Sequence, residues 1–161
     1  MIPVVLLSGY SNSGKTTIIE KLLKLFTERG LEIATIKHHR GNFDIGENKD
    51  STRHLRAGAS SVSLISEEDY IIIKKINKDN GLSEILENIK NVDLILVEGY
   101  KNENFPKIEV YRSELGNPRL DKDDQNIIGV VSDDISDEDI PLFKFNEIEK
   151  LADFIQKKFL K

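Results

Sequence analysis

One stretch constrains this chain more than any other: an apolar run that breaks into Gly9-Tyr10-Ser11-Asn12-Ser13-Gly14-Lys15-Thr16. It fits G-x-x-x-x-G-K-[ST] at every fixed position, and its context fits as well. Val4 to Leu7 is continuously apolar, as expected of a central strand covered on both faces. Thr16 to Arg29 carries Ile18, Ile19, Leu22, Leu23, Leu25 and Phe26 at helical spacing, and Gly30 stands where a helix would end. The spacing has a physical reason. Small residues let successive backbone N–H groups turn inward around phosphate oxygens. The helix N-terminus adds unpaired donors and the positive end of its dipole. Lys15, read as lying on a surface loop, brings a full charge to the β- and γ-phosphates, and Thr16 offers a hydroxyl to Mg²⁺. Residues Gly9 to Thr17 are therefore the expected nucleotide-binding segment, with Lys15 also a catalytic candidate.

A phosphate-binding loop needs an acid to hold the metal. The run Val92-Asp93-Leu94-Ile95-Leu96-Val97-Glu98-Gly99 is a strand with Glu98 at its C-terminal end, the edge where open α/β sheets bind ligands. Asp93 lies roughly 16 Å away at ~3.3 Å per residue, so it reads as a capping or solvated residue. Lys37-His38-His39 ends a second strand, Glu32 to Lys37, at the same edge. The polar loop that follows, to Lys49, is long enough to move over a bound nucleotide. Asp50 could then meet Mg²⁺ or orient a water, and His38 could polarise a substrate or that water. Arg53, His54 and Arg56 crowd one short helix running from Asp50 to Ala57. They read either as contacts for an anionic second substrate or acidic partner, with Lys37, or as a solvated basic face. A metal site from His38, His39 and His54 is not expected, because neighbouring residues such as the first two rarely converge on one ion. The strand Ile127 to Val131 ends at Ser132-Asp133-Asp134. Asp133 can accept from the N1–H and 2-amino group of guanine, a donor pair adenine lacks; the alternative is a plain acidic loop. No N-K-x-D motif follows a late strand, so GTP is permitted without being required.

Strands and helices alternate along the rest of the chain, giving an α/β class with a mainly parallel sheet. The expected architecture is a three-layer P-loop NTPase fold in a single domain, residues 1–161. Ser61 to Ile65, Tyr70 to Ile76 and Lys107 to Tyr111 read as strands, the last two as candidates for antiparallel ones. Asp79-Asn80-Gly81 breaks the chain before a helix, Ser83 to Ile89. Arg112 to Asn126 is charged and reads as a mobile loop. Asn146 to Phe159 is an amphipathic helix with Ile148, Leu151, Ala152, Ile155 and Phe159 on one stripe. Net charge is −5 over 161 residues, so a global basic footprint for nucleic acid is absent. There are no cysteines, which removes disulfides and Cys-ligated metal. No apolar run approaches a membrane span of ~18 residues, and the first residues lack a signal-peptide pattern. A soluble cytoplasmic protein is expected.

With these residues in view, the chain resembles the molybdopterin-guanine dinucleotide biosynthesis protein B (MobB) family. The resemblance runs over nearly the whole length. It rests on Gly9 to Thr17, Ile36-Lys37-His38, Lys49-Asp50-Ser51 leading to Ala57-Gly58-Ala59, Leu94 to Lys101, Lys107-Ile108-Glu109 and Val131-Ser132-Asp133. It departs at Gly41, where a second His is expected, and at Asn48, where the family often has Gly before Lys-Asp-Ser. It implies a GTP-binding protein with weak Mg²⁺-dependent GTPase activity. Such a protein assists the guanylyltransferase step that attaches GMP to molybdopterin, as a homodimer and a partner of the guanylyltransferase MobA; direct contact with molybdopterin stays open. A P-loop kinase passing the γ-phosphoryl group to a small metabolite is the alternative, with Arg112 and Arg119 as a thin substitute for an arginine lid.

Overall fold

The computed structural model describes residues 1–39, 41, 50–75, 81–136 and 139–160. The loop expected to reach Lys49, apart from Gly41, and the break expected at Asp79-Asn80 lie outside these residues. The chain divides into two compact units, Met1–His38 with Asn91–Lys161, and His39–Lys90.

In the first unit, β1 (Val4–Ser8), β2 (Ile33–Lys37), β5 (Leu94–Glu98), β6 (Lys107–Val110), β7 (Ile127–Val131) and β8 (Leu142–Phe143) form one sheet. Its order is β2-β5-β1-β6-β7-β8, and every pairing is parallel. Strand β6, a candidate for antiparallel pairing in the sequence, is thus parallel to both neighbours. Its burial and its connection explain this: all four residues from Lys107 to Val110 are buried, as in a strand covered on both faces, and the chain returns to β7 by a crossover of 16 residues (111–126).

Helices α1 (Lys15–Glu28) and α4 (Ile148–Phe159) bury their apolar stripes against one face of this sheet. Ile18, Leu22 and Phe26 of α1 join Leu151, Ala152 and Ile155 of α4 over Val5, Leu7, Leu94, Leu96, Ile108 and Val110. The period-two spacing of the strand residues shows that one face supplies them all. Helix α1 ends as its sequence dictates. Gly30, at φ 75°, donates to the Thr27 carbonyl, and Leu31 donates to that of Phe26, the paired bonds of a Schellman cap. Arg29 then reaches across to Asp153 (2.8 Å) and Gln156 (2.8 Å) of α4. Asp93, at the far end of β5, accepts from the Glu32 backbone N–H (2.8 Å), in keeping with its reading as a capping residue.

The opposite face of β6 carries two charges, Lys107 and Glu109, each almost fully buried. The 112–126 segment covers them. Arg119 binds the Glu109 carboxylate (2.8 and 2.7 Å), the Leu120 N–H donates to it (2.7 Å), and Asp124 meets Lys107 Nζ (2.6 Å). A 3₁₀ turn, Ser113–Leu115, opens the segment. The expectation of a mobile loop is therefore corrected: its charges pin it to the sheet.

In the second unit, β3 (Ser61–Ile65) and β4 (Tyr70–Lys74) pair antiparallel, beside α2 (Asp50–Arg56) and α3 (Gly81–Asn88). Lys74 and Glu84 pair between β4 and α3. Both faces of the ribbon are apolar and open: Ile65, Tyr70, Ile71 and Ile72 are all exposed. Among the described residues no helix is long and apolar enough to cross a membrane.

The Lys107–Asp124 pair sets an acid limit on stability. Partial burial raises the Asp124 pKa, but hydrogen bonds from Lys107 and Asn126 outweigh it and hold the carboxyl below its ordinary value. A depressed carboxyl stabilises the fold above the unfolded value of about 3.9 and loses that contribution as pH falls through the folded one. Asp124→Ala, which leaves Lys107 buried without its counter-charge, is expected to destabilise by about 3 kcal/mol in urea unfolding at neutral pH. The gap between parent and variant should close as the pH is taken below the carboxylate range.

Candidate functional site

Parallel pairing brings the carboxyl ends of the strands to one edge, and the loop after β1 sits at its centre. Leu7 lies opposite Glu98 in one neighbour and Ile108 in the other. The first glycine of the loop is fixed by what passes beside it. A Cβ on Gly9, whose φ is 152°, would lie 2.3 Å from the Val110 carbonyl oxygen of β6. No side chain fits there. The loop then turns through Asn12 at φ 66° and Gly14 at φ 98° and enters α1 at Lys15.

Lys15 is not on a surface loop, as its position in the motif suggested, but buried in the first turn of α1. Its Nζ donates to the Tyr10 carbonyl (2.6 Å) and to Ser13 Oγ (3.4 Å). Burial lowers its pKa below that of an ordinary lysine; Glu98 pulls it back up and Lys37 pushes it further down. The ammonium is thus short of counter-charge, which is the electrostatic condition of an anion site.

Thr16, Glu98 and Lys37 meet beside it. The Thr16 hydroxyl lies 3.0 Å from both Glu98 carboxylate oxygens, and Lys37 Nζ is 3.3 Å from Thr16 Oγ1 and 3.2 Å from Glu98 Oε2. A hydroxyl and one carboxylate are hard oxygen donors, few in number. That suits Mg²⁺, which keeps most of its positions for phosphate and water. Among the described residues no three His, Asp or Glu side chains are grouped to hold a metal by themselves.

The neighbouring strand ends add three groups to this edge: Tyr100 and Lys101, which carry no assigned role in the sequence, and Arg112, which the sequence offers only as part of an arginine lid. Tyr100, at φ 51°, stacks on His38 with ring centroids 4.5 Å apart, and burial followed by Glu103 raises its pKa. Lys101 Nζ lies 4.5 Å from the Tyr10 ring centroid. Arg112, just past β6, donates from Nε to the Ser13 carbonyl (3.3 Å) and lies over the Phe145 ring (4.0 Å). Counting two residues beyond the end of β6 would have found Arg112. Phe145 follows a strand of two residues, too short for any periodicity.

Asp133 lies exposed beyond the end of β7. Its Oδ1 accepts from the Phe145 N–H (3.1 Å), while Asp134 accepts from the Ser113 N–H (2.8 Å). Asp50, Arg53 and Arg56 belong to α2 in the second unit, where Asp50 pairs with Arg53 (3.2 Å). The sequence-derived site therefore divides. Gly9 to Thr17, Lys37, His38, Glu98 and Asp133 share the first unit's sheet edge, whereas Asp50, Arg53 and Arg56 share one helix of the second.

The family model described as molybdopterin guanine dinucleotide synthesis protein B matches residues 4–133. The molybdopterin-guanine dinucleotide biosynthesis adapter protein of Haemophilus influenzae is 36% identical over 158 residues, spanning 96% of this chain and 88% of that protein. The protein of the same description from Escherichia coli K12 is 32% identical, spanning 96% of this chain and 92% of its own length. Among solved structures, Bacillus subtilis MobB superposes with a TM-score of 0.76 at 25% identity, covering 98% of both chains. A molybdopterin-guanine biosynthesis protein B structure superposes at 0.77 with 27% identity, covering 98% of this chain and 99% of its own.

The Gly9 contact can be separated from ordinary left-handed strain. Gly30 also has positive φ but nothing within 4 Å of its Cβ position. Gly30→Ala should therefore cost about 1 kcal/mol, the price of φ alone. Gly9→Ala should cost about 3 kcal/mol, because the backbone of β6 must move as well. Urea unfolding of both variants reads the difference.

Proposed function

Since this chain belongs to the molybdopterin guanine dinucleotide synthesis protein B family, we propose that it serves that biosynthesis as a GTP-binding adapter that assists the guanylyltransferase step. The observation that carries the nucleotide reading is the Thr16 hydroxyl held against the Glu98 carboxylate, beside the buried, under-compensated Lys15. The residues take distinct roles. Lys15 exchanges the Tyr10 carbonyl for phosphate oxygens. The backbone N–H groups of Gly9 to Thr17 line the phosphate path. Thr16 and Glu98 would hold Mg²⁺, which when bound would neutralise charge on the β- and γ-phosphates. Asp133 keeps Oδ2 without a hydrogen-bond partner among the described residues, and that oxygen reads the guanine edge. His38, braced on Tyr100, orients the attacking water. Lys37 at the sheet edge is a candidate contact for a second anionic substrate, molybdopterin among them, and Arg53 and Arg56 on α2 are candidates for an anionic substrate or the guanylyltransferase partner.

Hydrolysis by the chain alone is slow in this reading, well below the ~10 s⁻¹ of a median enzyme. The kinase alternative weakens, because Arg119 is committed to the buried Glu109 rather than to a lid.

Self-association has its own support. A two-stranded ribbon with apolar residues open on both faces is marginal by itself, and a second copy presents a matching surface. The unit that carries α2 is then the dimerising one.

Two measurements test these readings. In calorimetry with Mg²⁺, the chain should bind GTP at least tenfold more tightly than ATP, about 1.4 kcal/mol. Lys15→Met, which keeps the buried stem and removes the charge, should abolish most of that affinity. Equal binding of the two nucleotides, or an unaffected variant, overturns the assignment. Because the Lys15 pKa is lowered, GTP affinity should begin to fall with rising pH before ordinary lysines titrate near 10.4. In sedimentation velocity the chain should run as a dimer, and the double variant Ile65→Lys, Ile72→Lys as a monomer.

A further inference from the structure

The sheet order gives the phosphate loop two chemically different flanks. On the β5 side stand Glu98, Thr16 and Lys37. On the β6 side stands Arg112. Its guanidinium lies over Phe145, 4.0 Å from the ring centroid, and its Nε donates to the Ser13 carbonyl at 3.3 Å. Its Nη1 reaches Glu114 at 3.2 Å, a pair with an exposed carboxylate. Nη2 has no hydrogen-bond partner among the described residues. A Cβ built on Gly14 would lie 3.1 Å from Phe145 Cε1 and 3.8 Å from both Arg112 Nε and Nη2. Ring and guanidinium therefore lie close beside Gly14, which opens α1, and occupy the space a side chain there would need.

A nucleoside triphosphate is itself polar along its length. One end is the metal-bridged β,γ pair; the other is the α-phosphate with its sugar and base. The hydroxyl and carboxylate on the β5 flank are suited to the first end. The second then runs across the helix N-terminus to the β6 flank, towards Ser132 and Asp133 at the end of β7. We propose that Arg112, held over Phe145 and against the Ser13 carbonyl, is the residue that binds the α-phosphate, and that it does not act on the γ-phosphate. This deepens the GTP reading and rests on it.

Arginine suits the position for reasons lysine does not share. Its plane stacks on an aromatic face while its N–H edge stays directed outward, and the fork matches phosphate oxygens in pairs. The competing Glu114 contact is solvent-exposed, so exchanging it for a phosphate costs little. Because GTP and GDP share the α-phosphate, the contact survives loss of the γ-phosphoryl group, and its contribution to binding is the same for both nucleotides.

Arg112→Gln in the full chain tests the assignment by calorimetry with GTP, GDP and ATP in Mg²⁺. One charge-assisted contact corresponds to about tenfold in affinity. The expected result is the same roughly tenfold weakening for GTP and for GDP, with the preference for GTP over ATP unchanged. A loss confined to GTP would make Arg112 a γ-phosphate residue, a changed GTP-to-ATP ratio would make it a base contact, and no loss would leave it structural; each overturns the proposal. If Arg112→Gln fails to fold, Arg112→Lys keeps stem and charge and removes the fork; a smaller but equal weakening of GTP and GDP is then expected, and an unequal or absent one overturns it. Failure of the parent chain to bind either guanine nucleotide overturns the GTP reading itself, an outcome distinct from all of these.

Discussion

Everything at the candidate site depends on β1 lying parallel between β5 and β6 in a single register. Leu7 faces Glu98 on one side and Ile108 on the other, so all three strands end within a residue or two of each other. The backbone then continues the ladder into the loops. The Gly99 N–H donates to the Leu7 carbonyl (3.0 Å), and Ser8 Oγ donates to the Gly99 carbonyl (3.1 Å). A shift by one residue would turn Glu98 to the other face of the sheet and bring a different carbonyl against Gly9. Register is secured because β1 and β5 bury both faces, and any slip would exchange two tightly packed sets of side chains.

The two faces of β6 show how different forces are matched to one strand. Ile108 and Val110 point into the helix-covered core, where burial of each side chain is worth about 2 kcal/mol. Lys107 and Glu109 point the other way, and neither is reached by water to any extent. Burying a charge is tolerated only with a partner and good hydrogen bonds. Each has them, and each partner comes from the same covering segment. Those pairs do more than neutralise charge: they fix residues 119–124, and so hold the far end of the connection that starts with Arg112.

The sequence disclosed the site's centre because local rules decide it. Strand, glycine turn, Lys15 and amphipathic α1 lie within 26 consecutive residues (4–29) and are governed by periodicity and capping. Glu98 was legible because an apolar run that ends in an acid places that acid at a strand end. Lys107–Asp124 and Glu109–Arg119 were not, since pairing across 17 and 10 residues leaves no periodic trace. A charged stretch reads as solvated until its partners are known to be buried, and this is why residues 112–126 read as a mobile loop. Arg112, within that stretch, reads only as part of an arginine lid and not as a neighbour of the phosphate loop. Nor did the sequence show that β6 is parallel, because a run of four residues fits either direction.

Lys15 has a consequence for how a ligand is captured. Its Nζ ties the two shoulders of the loop together, the Tyr10 carbonyl and the Ser13 hydroxyl, while Arg112 holds Ser13 from outside and β6 abuts Gly9 from below. The loop is a closed ring with an internal brace. Little chain entropy remains to be lost when an anion arrives, so capture is a rearrangement of one ammonium's partners rather than the folding of a loop. A preorganised ring of this kind selects by curvature: an anion that spans the loop meets its donors together, and one that does not gains little from any single donor.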